Sequence, residues 1–193
     1  MIFLGVDPDL HCTAIGAWMR DKPFGAWVVE TPKIKGRVEQ TAVLDMVWAI
    51  KESFPLFSKS DVTETIWAVE AQTLHVTGLK QHKRPQDIVT LGNVGGAVLQ
   101  FIAGHCKSSD NLLFPTAKEW KGQIPKAVMQ ARFYQELGWG YQIMGKNKSR
   151  PNGEYSLPRR VPSGLSYLKK AHWKHVGDAL MLAKWASINW KEQ

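Results

Sequence analysis

The chain opens on an almost wholly apolar run, Ile2-Phe-Leu-Gly-Val, that stops at the carboxylate of Asp7, and a second run, Ile66-Trp-Ala-Val, stops the same way at Glu70. Apolar runs of this length without polar alternation predict strands buried on both faces. Further strands are predicted at residues 12–19 and 24–30, with turns at Pro8-Asp9 and Asp21-Lys22-Pro23, so that the first three form a meander. Helical spacing takes over at about residues 37–54, where Val43, Val47, Ile50 and Phe54 share a face, and again at about 85–105, with Ile88, Leu91, Val98, Leu99 and Ile102. Gly92, Gly95 and Gly96 interrupt the second of these helices. Each weakens a helix interior by about 1 kcal/mol relative to alanine, which predicts that another backbone comes close there. A fifth strand at 111–114 and a helix at 172–190, with Val176, Ala179, Leu180 and Ala183 at core spacing, close the pattern. Three strands, helix, strand, helix, strand, helix is an α/β order, and predicts a five-stranded mixed sheet flanked by helices.

The placement of acids changes the picture from architecture to chemistry. A carboxylate at the end of a buried strand is costly to desolvate unless it protonates, pairs with a cation or opens on to a site. Two such acids favour a shared cation. A third, Asp178, follows His175 at a spacing of i, i+3 in the last helix, which sets both side chains on one face beside the buried stripe. Taken singly, each has a plainer use: an acid after a strand as a turn residue or helix cap, a histidine as a structural hydrogen-bonder. Together, one imidazole and three carboxylates form a hard, oxygen-rich donor set that suits Mg²⁺ or Mn²⁺ better than zinc.

Charge points to the partner. With 193 residues, a net charge of +8 and a pI near 9.5, the chain is expected to be one domain that meets a polyanion. Eight Lys or Arg against one acid fall between Gly140 and Lys174, among them Lys146, Lys148, Arg150, Arg159, Arg160, Lys169 and Lys170. Pro151, Pro158 and Pro162 give this window the composition of a long irregular loop, suited to gripping phosphates beside the acids. Two further segments are expected to serve the substrate. Residues 71–84 carry His75, Lys80, His82, Lys83 and Arg84, with Leu74, Val76 and Leu79 as apolar tips that either enter DNA or pack locally. Residues 115–126 carry Lys118, Lys121 and Lys126 and open a helix whose first turn offers N–H groups to phosphate. Most of the nine tryptophans are expected in the core, Trp48 and Trp67 among them. Cys12 and Cys106 lack metal-site company and read as reduced thiols, and no membrane span or signal peptide is visible, so the expected location is the cytoplasm.

Four stretches, Phe3-Leu-Gly-Val-Asp-Pro8, Trp67-Ala-Val-Glu-Ala71, Leu91-Gly-Asn-Val-Gly-Gly-Ala97 and His175-Val-Gly-Asp-Ala-Leu180, occur in this order across nearly the whole chain. In them the sequence resembles the RuvC-type Holliday junction resolvases of the RNase H-like superfamily, particularly their small phage-borne members. The resemblance implies an RNase H-like fold over residues 1–193, with the basic window around 140–172 as an insertion. It implies that Asp7, Glu70, His175 and Asp178 bind two catalytic Mg²⁺ (or Mn²⁺) ions, that a lysine assists, Lys126 ahead of Lys118, and that the glycine-rich helix joins a homodimer. The implied activity is resolution of branched DNA, four-way junctions above all, by paired symmetric nicks that leave 5′-phosphate and 3′-hydroxyl ends. Two departures stand out: Asp9 where the family commonly has glycine, and His175 where many members carry an acid. A broader RNase H-like nuclease, a small actin-like ATPase or a non-catalytic nucleic-acid-binding module are the other readings; the second lacks room for its other lobe.

Overall fold

A computed structural model of the chain describes residues 1–9, 12–30, 45, 46, 48, 49, 52, 65–71, 85–104, 106, 108–144 and 155–190, without the side chains of 85–91. Its strands are β1 (Ile2–Asp7), β2 (Cys12–Met19), β3 (Lys22–Glu30), β4 (Thr65–Val69) and β5 (Leu112–Leu113), followed by β6 (Tyr141–Met144) and β7 (Tyr155–Pro158). The longer described helices are α1 (Pro85–Ala103), α2 (Ala117–Lys121), α3 (Lys126–Glu136) and α4 (Trp173–Asn189). Asp45, Met46, Trp48, Ala49 and Glu52 are also helical.

Five strands form one mixed sheet in the order β3-β2-β1-β4-β5, the first three antiparallel, with β4 parallel to β1 and β5 parallel to β4. The turn between β2 and β3 is two residues long, Arg20 and Asp21, both at positive φ (50° and 60°), the twist that a tight hairpin needs. Side chains alternate across the sheet, so each strand divides its residues between two helical layers. Leu4, Val6, Ile15, Trp67 and Val69 pack with Val94, Val98 and Ile102 of α1. Ala14, Trp18, Ala26 and Ala68 pack with Val176, Ala179, Leu180 and Ala183 of α4, the four positions predicted from helical spacing.

The α4 layer lies unusually close. Gly5 and Gly16 face each other across β1 and β2. A Cβ on Gly5 would sit 2.1 Å from the Ala179 carbonyl oxygen, and one on Gly16 would sit 2.6 Å from the Leu180 nitrogen. Only a hydrogen at these positions lets the helix backbone rest on the sheet. By contrast, a Cβ on Gly92 or Gly96 of α1 would meet nothing within 4 Å. The close approach expected at those two glycines is therefore not made within the described chain.

Other expectations are corrected. The basic window is not one irregular loop: β6 and β7 pair antiparallel, short 3-10 turns follow at Ser163–Leu165 and Lys170–His172, and Leu165 and Leu168 are buried in the α4 core. Trp67 is buried, but Trp48 is 58% exposed rather than core. The residues after Pro115 form two helices, α2 ending at Gly122 (φ 63°) and α3 starting at Lys126. The start of α2 carries a capping box, with Glu119 N donating to Thr116 Oγ1 and Thr116 N to Glu119 Oε2, which engages two of the N–H groups expected for phosphate.

Candidate active site

Strand alternation sets the site on the α4 side. Phe3, Gly5 and Asp7 of β1 share that side, and Asp7 is the strand's last residue. The β1–β4 register pairs Val6 with Val69, and Glu70 N donates to Val6 O at 3.0 Å, which carries the ladder one step further and sets Glu70 next to Asp7. Two acids thus lie at the carboxyl ends of adjacent parallel strands, the edge on which open α/β sheets hold ligands. From α4, His175 Nδ1 lies 3.0 Å from Asp7 Oδ2, and Asp178 sits one turn on, 1% exposed.

Two lysines enter among the acids. Lys121, from the end of α2, donates to Glu70 Oε1 and Oε2 at 3.1 and 3.3 Å and lies 4.2 Å from the centre of the Trp120 ring. Lys126, at the start of α3, pairs with Asp178 Oδ2. The other oxygen, Oδ1, accepts from Gln130 Nε2 at 2.8 Å.

The electrostatics follow from burial and from these neighbours. Burial, then the charge of Asp7 and with it Asp178, pushes Glu70 up to about 7 in spite of Lys121. Burial opposes charge on His175, but the hydrogen bonds to Asp7 and Cys12 outweigh it and raise the ring to about 10, so that Nδ1–H donates to Asp7. Burial would raise Asp178 as well, yet Lys126, Lys121 and Gln130 hold it below the usual carboxylate range. The same three carboxylates hold the Lys126 ammonium well above an ordinary lysine, against the cost of its burial.

The donor chemistry fits a hard divalent cation. Three carboxylates from three elements come close enough that Asp7 and Asp178 help to raise Glu70, and two ammonium groups stand where compensating cations belong. With the carboxylates turned on to those lysines, no three of His, Cys, Asp and Glu among the described residues enclose a single point. Asp7, Glu70 and Asp178, with His175 beside Asp7, are the residues that would hold the ions.

The remaining expected positions divide into three groups. Lys80, Lys83, Arg84, Lys146, Lys148 and Arg150 lie outside the described residues, as do Leu74, Val76 and Leu79. Lys118 is exposed and faces away from the role of second choice for the assisting lysine, since Lys121, expected only on DNA, is the one at Glu70. Arg159 Nε donates to Tyr141 O at 2.9 Å, Arg160 donates twice to Gly138 O at 3.0 and 2.8 Å, Lys169 pairs with Glu30 at 2.8 Å, and Lys170 lies 6.0 Å from the Trp173 ring centre. All four therefore clasp the protein's own backbone or side chains. Gln130 was not foreseen; its one sequence signal is a polar residue inside the apolar stripe of Ala127, Ala131 and Tyr134 on α3.

No family model and no curated protein matches the sequence. Among solved structures, T. thermophilus RuvC in complex with a Holliday junction substrate aligns over 97% of this chain and 92% of its own, with a TM-score of 0.54 and 19% identity. The fold is that of RuvC. A second T. thermophilus RuvC structure aligns over 97% and 96% of the two chains at 16% identity and a TM-score of 0.49. The RuvC-like sheet and its last helix are the elements that carry Asp7, Glu70, His175 and Asp178. Among the described residues, no helix of this RuvC-like fold is long and apolar enough to cross a membrane.

Proposed function

We propose that the protein is a divalent-metal-dependent endonuclease that resolves four-way DNA junctions by paired symmetric nicks. One observation carries this reading: three carboxylates, buried or nearly so, meet at the ends of two parallel strands and on one helix turn, with their charge met by two lysine heads and the His175 ring. A structural or purely DNA-binding domain has no use for such a cluster, because it repels phosphate. The RuvC fold, seen in the neighbouring structure on a Holliday junction, supports the choice of substrate.

Bound divalent ions would supply Lewis-acid activation of water and stabilisation of the departing 3′ oxygen. The chain's own residues do the rest. Asp7, at the centre of the cluster, and Glu70 and Asp178 on either side hold the metal charge. His175 keeps its proton through Asp7 and acts as a donor that orients the attacking water or a phosphate oxygen. Lys121 and Lys126, which pair with Glu70 and Asp178 in this structure, are placed to meet the scissile phosphate and would be freed to do so were those carboxylates to hold divalent ions. Mg²⁺ or Mn²⁺, in two sites, is the proposed cofactor. Two symmetric nicks call for a twofold homodimer, and the net charge of +8 supplies the attraction for the junction backbone.

The test is an end-labelled four-way junction and its matched linear duplex, each incubated with Mg²⁺ or Mn²⁺ and resolved on a denaturing gel. Paired nicks in the junction alone, abolished in Asp7→Asn and Glu70→Gln while binding persists, are expected. Cutting of every branched substrate or of RNA hybrids would move the protein to a broader nuclease. Tight binding with no cutting in either metal would leave only a silent binding module.

A further inference from the structure

Gln130 is fully buried, and both ends of its amide are engaged. Nε2 donates to Asp178 Oδ1 at 2.8 Å, and Oε1 accepts from the backbone N–H of Ser156 on β7 at 2.9 Å. Ser156 Oγ donates in turn to Ala127 O at 2.8 Å, which stitches β7 to the first turn of α3. The orientation of the amide is dictated by its partners. Turned by half a rotation, it would set a carbonyl against a carboxylate and an NH₂ against an N–H.

An apolar side chain could fill this position between Ala127 and Tyr134 equally well as packing. What glutamine adds is one donor aimed at an anion and one acceptor aimed at a strand, at the correct separation. Glutamate cannot donate unless protonated, and asparagine is one methylene too short to span both. With Oδ1 held, Asp178 can turn only Oδ2 toward Lys126 and the other carboxylates. Gly177, next to Asp178, lets α3 and α4 come this close, since a Cβ there would sit 1.9 Å from the Tyr134 hydroxyl.

We propose that Gln130 is a positioning residue that fixes the direction of the Asp178 carboxylate and makes that direction depend on the seating of the β6–β7 hairpin. The inference rests on the metal-dependent reading of the site. It makes the hairpin part of the apparatus that sets metal affinity, besides whatever its basic segment does on DNA. The bond from Ser156 N–H to Gln130 is the link, so a hairpin that shifts on α3 releases the amide, and the amide releases the carboxylate.

The experiment is Mn²⁺ binding by the full chain without DNA, followed by paramagnetic resonance and by calorimetry. Gln130→Met, similar in length but without hydrogen bonds, is expected to weaken Mn²⁺ binding roughly 10- to 100-fold, as loss of a partner to a metal ligand does elsewhere. Its cleavage should lose kcat and keep KM for the junction. Ser156→Ala loosens the seat of the hairpin by removing the Oγ bond to Ala127 but keeps the N–H to Gln130, so it should lower the thermal midpoint and weaken Mn²⁺ binding by less than Gln130→Met does. Equal weakening in both variants, or none in Gln130→Met, would overturn the proposal. Should Gln130→Met fail to fold, the side-chain amide protons of Gln130 in the unsubstituted protein are followed by NMR during a Mg²⁺ titration. A shift that saturates with ion binding supports the link, and an unmoved, exchange-protected pair sinks it. Failure of the unsubstituted protein to bind any divalent ion would overturn the site reading itself, and is recognised before any variant is made.

Discussion

The two faces of the central sheet are built to different tolerances, and the tighter one carries the candidate site. Against α1, branched and aromatic side chains of β1, β2 and β4 meet valines and an isoleucine across an ordinary side-chain layer. Against α4 there is almost no layer at the centre: Gly5 and Gly16 bring strand backbone on to helix backbone at Ala179 and Leu180. The helix carries His175 one turn before that contact and Asp178 just before it, and two residues beyond it the strand carries Asp7. Close approach of two rigid elements is thus what brings a helical imidazole within 3.0 Å of a strand carboxylate.

The severest way to break that contrast is Gly5→Val. Its Cβ alone would overlap the Ala179 carbonyl, backbone against backbone, where no side-chain rotation gives relief. A loss of at least about 3 kcal/mol in denaturant unfolding is expected, the upper end of overpacking costs. Any folded remainder should have lost metal affinity, because α4 has been lifted from Asp7. A stable Gly5→Val protein with intact cleavage would show that the close contact does not position the site.

Next in size is the balance of charge on the tight face. Lys126→Met leaves Asp178, buried and hydrogen-bonded to Gln130, without its cation. The metal-free protein should lose about 2 kcal/mol, typical of a hydrogen bond to a charged group, and Mg²⁺ should return most of it. The pH dependence follows from two raised ionisations of the same sign. His175 is held at about 10 against an ordinary 6.5, so its contribution is fully present below pH 6.5 and lost as pH rises through 10. Glu70 is held at about 7 against 4.5, so burying it favours the fold fully below pH 4.5 and no longer above 7. Asp178 is shifted the opposite way and opposes them only in acid, below its ordinary 3.8. The thermal midpoint of the metal-free protein is therefore expected to fall steadily from pH 5 to 10. His175→Ala should flatten the alkaline half of that fall, and Mg²⁺ should flatten the part due to Glu70, which is ionised when it ligates. A metal-free midpoint that rises over this range would contradict the arrangement.

How much of this was legible in the sequence follows the range of the interactions. Unbroken apolar runs declared β1 and β4 and the acids at their ends, and 3.6-residue spacing declared the buried stripe of α4 with His175 and Asp178 beside it. These are local periodicities, and they held. The contacts that orient the site are not local. Lys121 reaches Glu70 across 51 residues of chain and Ser156 reaches Gln130 across 26, so no window of sequence contains either pair. The β6–β7 hairpin was hidden by its composition: prolines and cations read as a loop, while its order comes from Ser156, Leu165 and Leu168 buried against α3 and α4. The sequence pointed to a close approach at Gly92 and gave no sign of one at Gly5, and only the neighbouring backbone shows the reverse.

That pair also supplies the smallest and most discriminating test. Gly92 lies on the exposed side of α1, and an added Cβ meets nothing within 4 Å. In an isolated chain Gly92→Ala should therefore stabilise by about 0.4–1 kcal/mol, by restricting the unfolded state and favouring the helix, the opposite sign to Gly5→Val. A glycine where alanine would be better needs a reason outside the described residues. In the proposed twofold dimer, α1 from a second copy would supply it, and the methyl group would then hold the two helices apart. Denaturant unfolding at low protein concentration should report the gain, while sedimentation at high concentration should report weaker self-association. Stabilisation with no change in association would leave the α1 face without a partner at this position, and would move the search for the dimer contact elsewhere on the molecule.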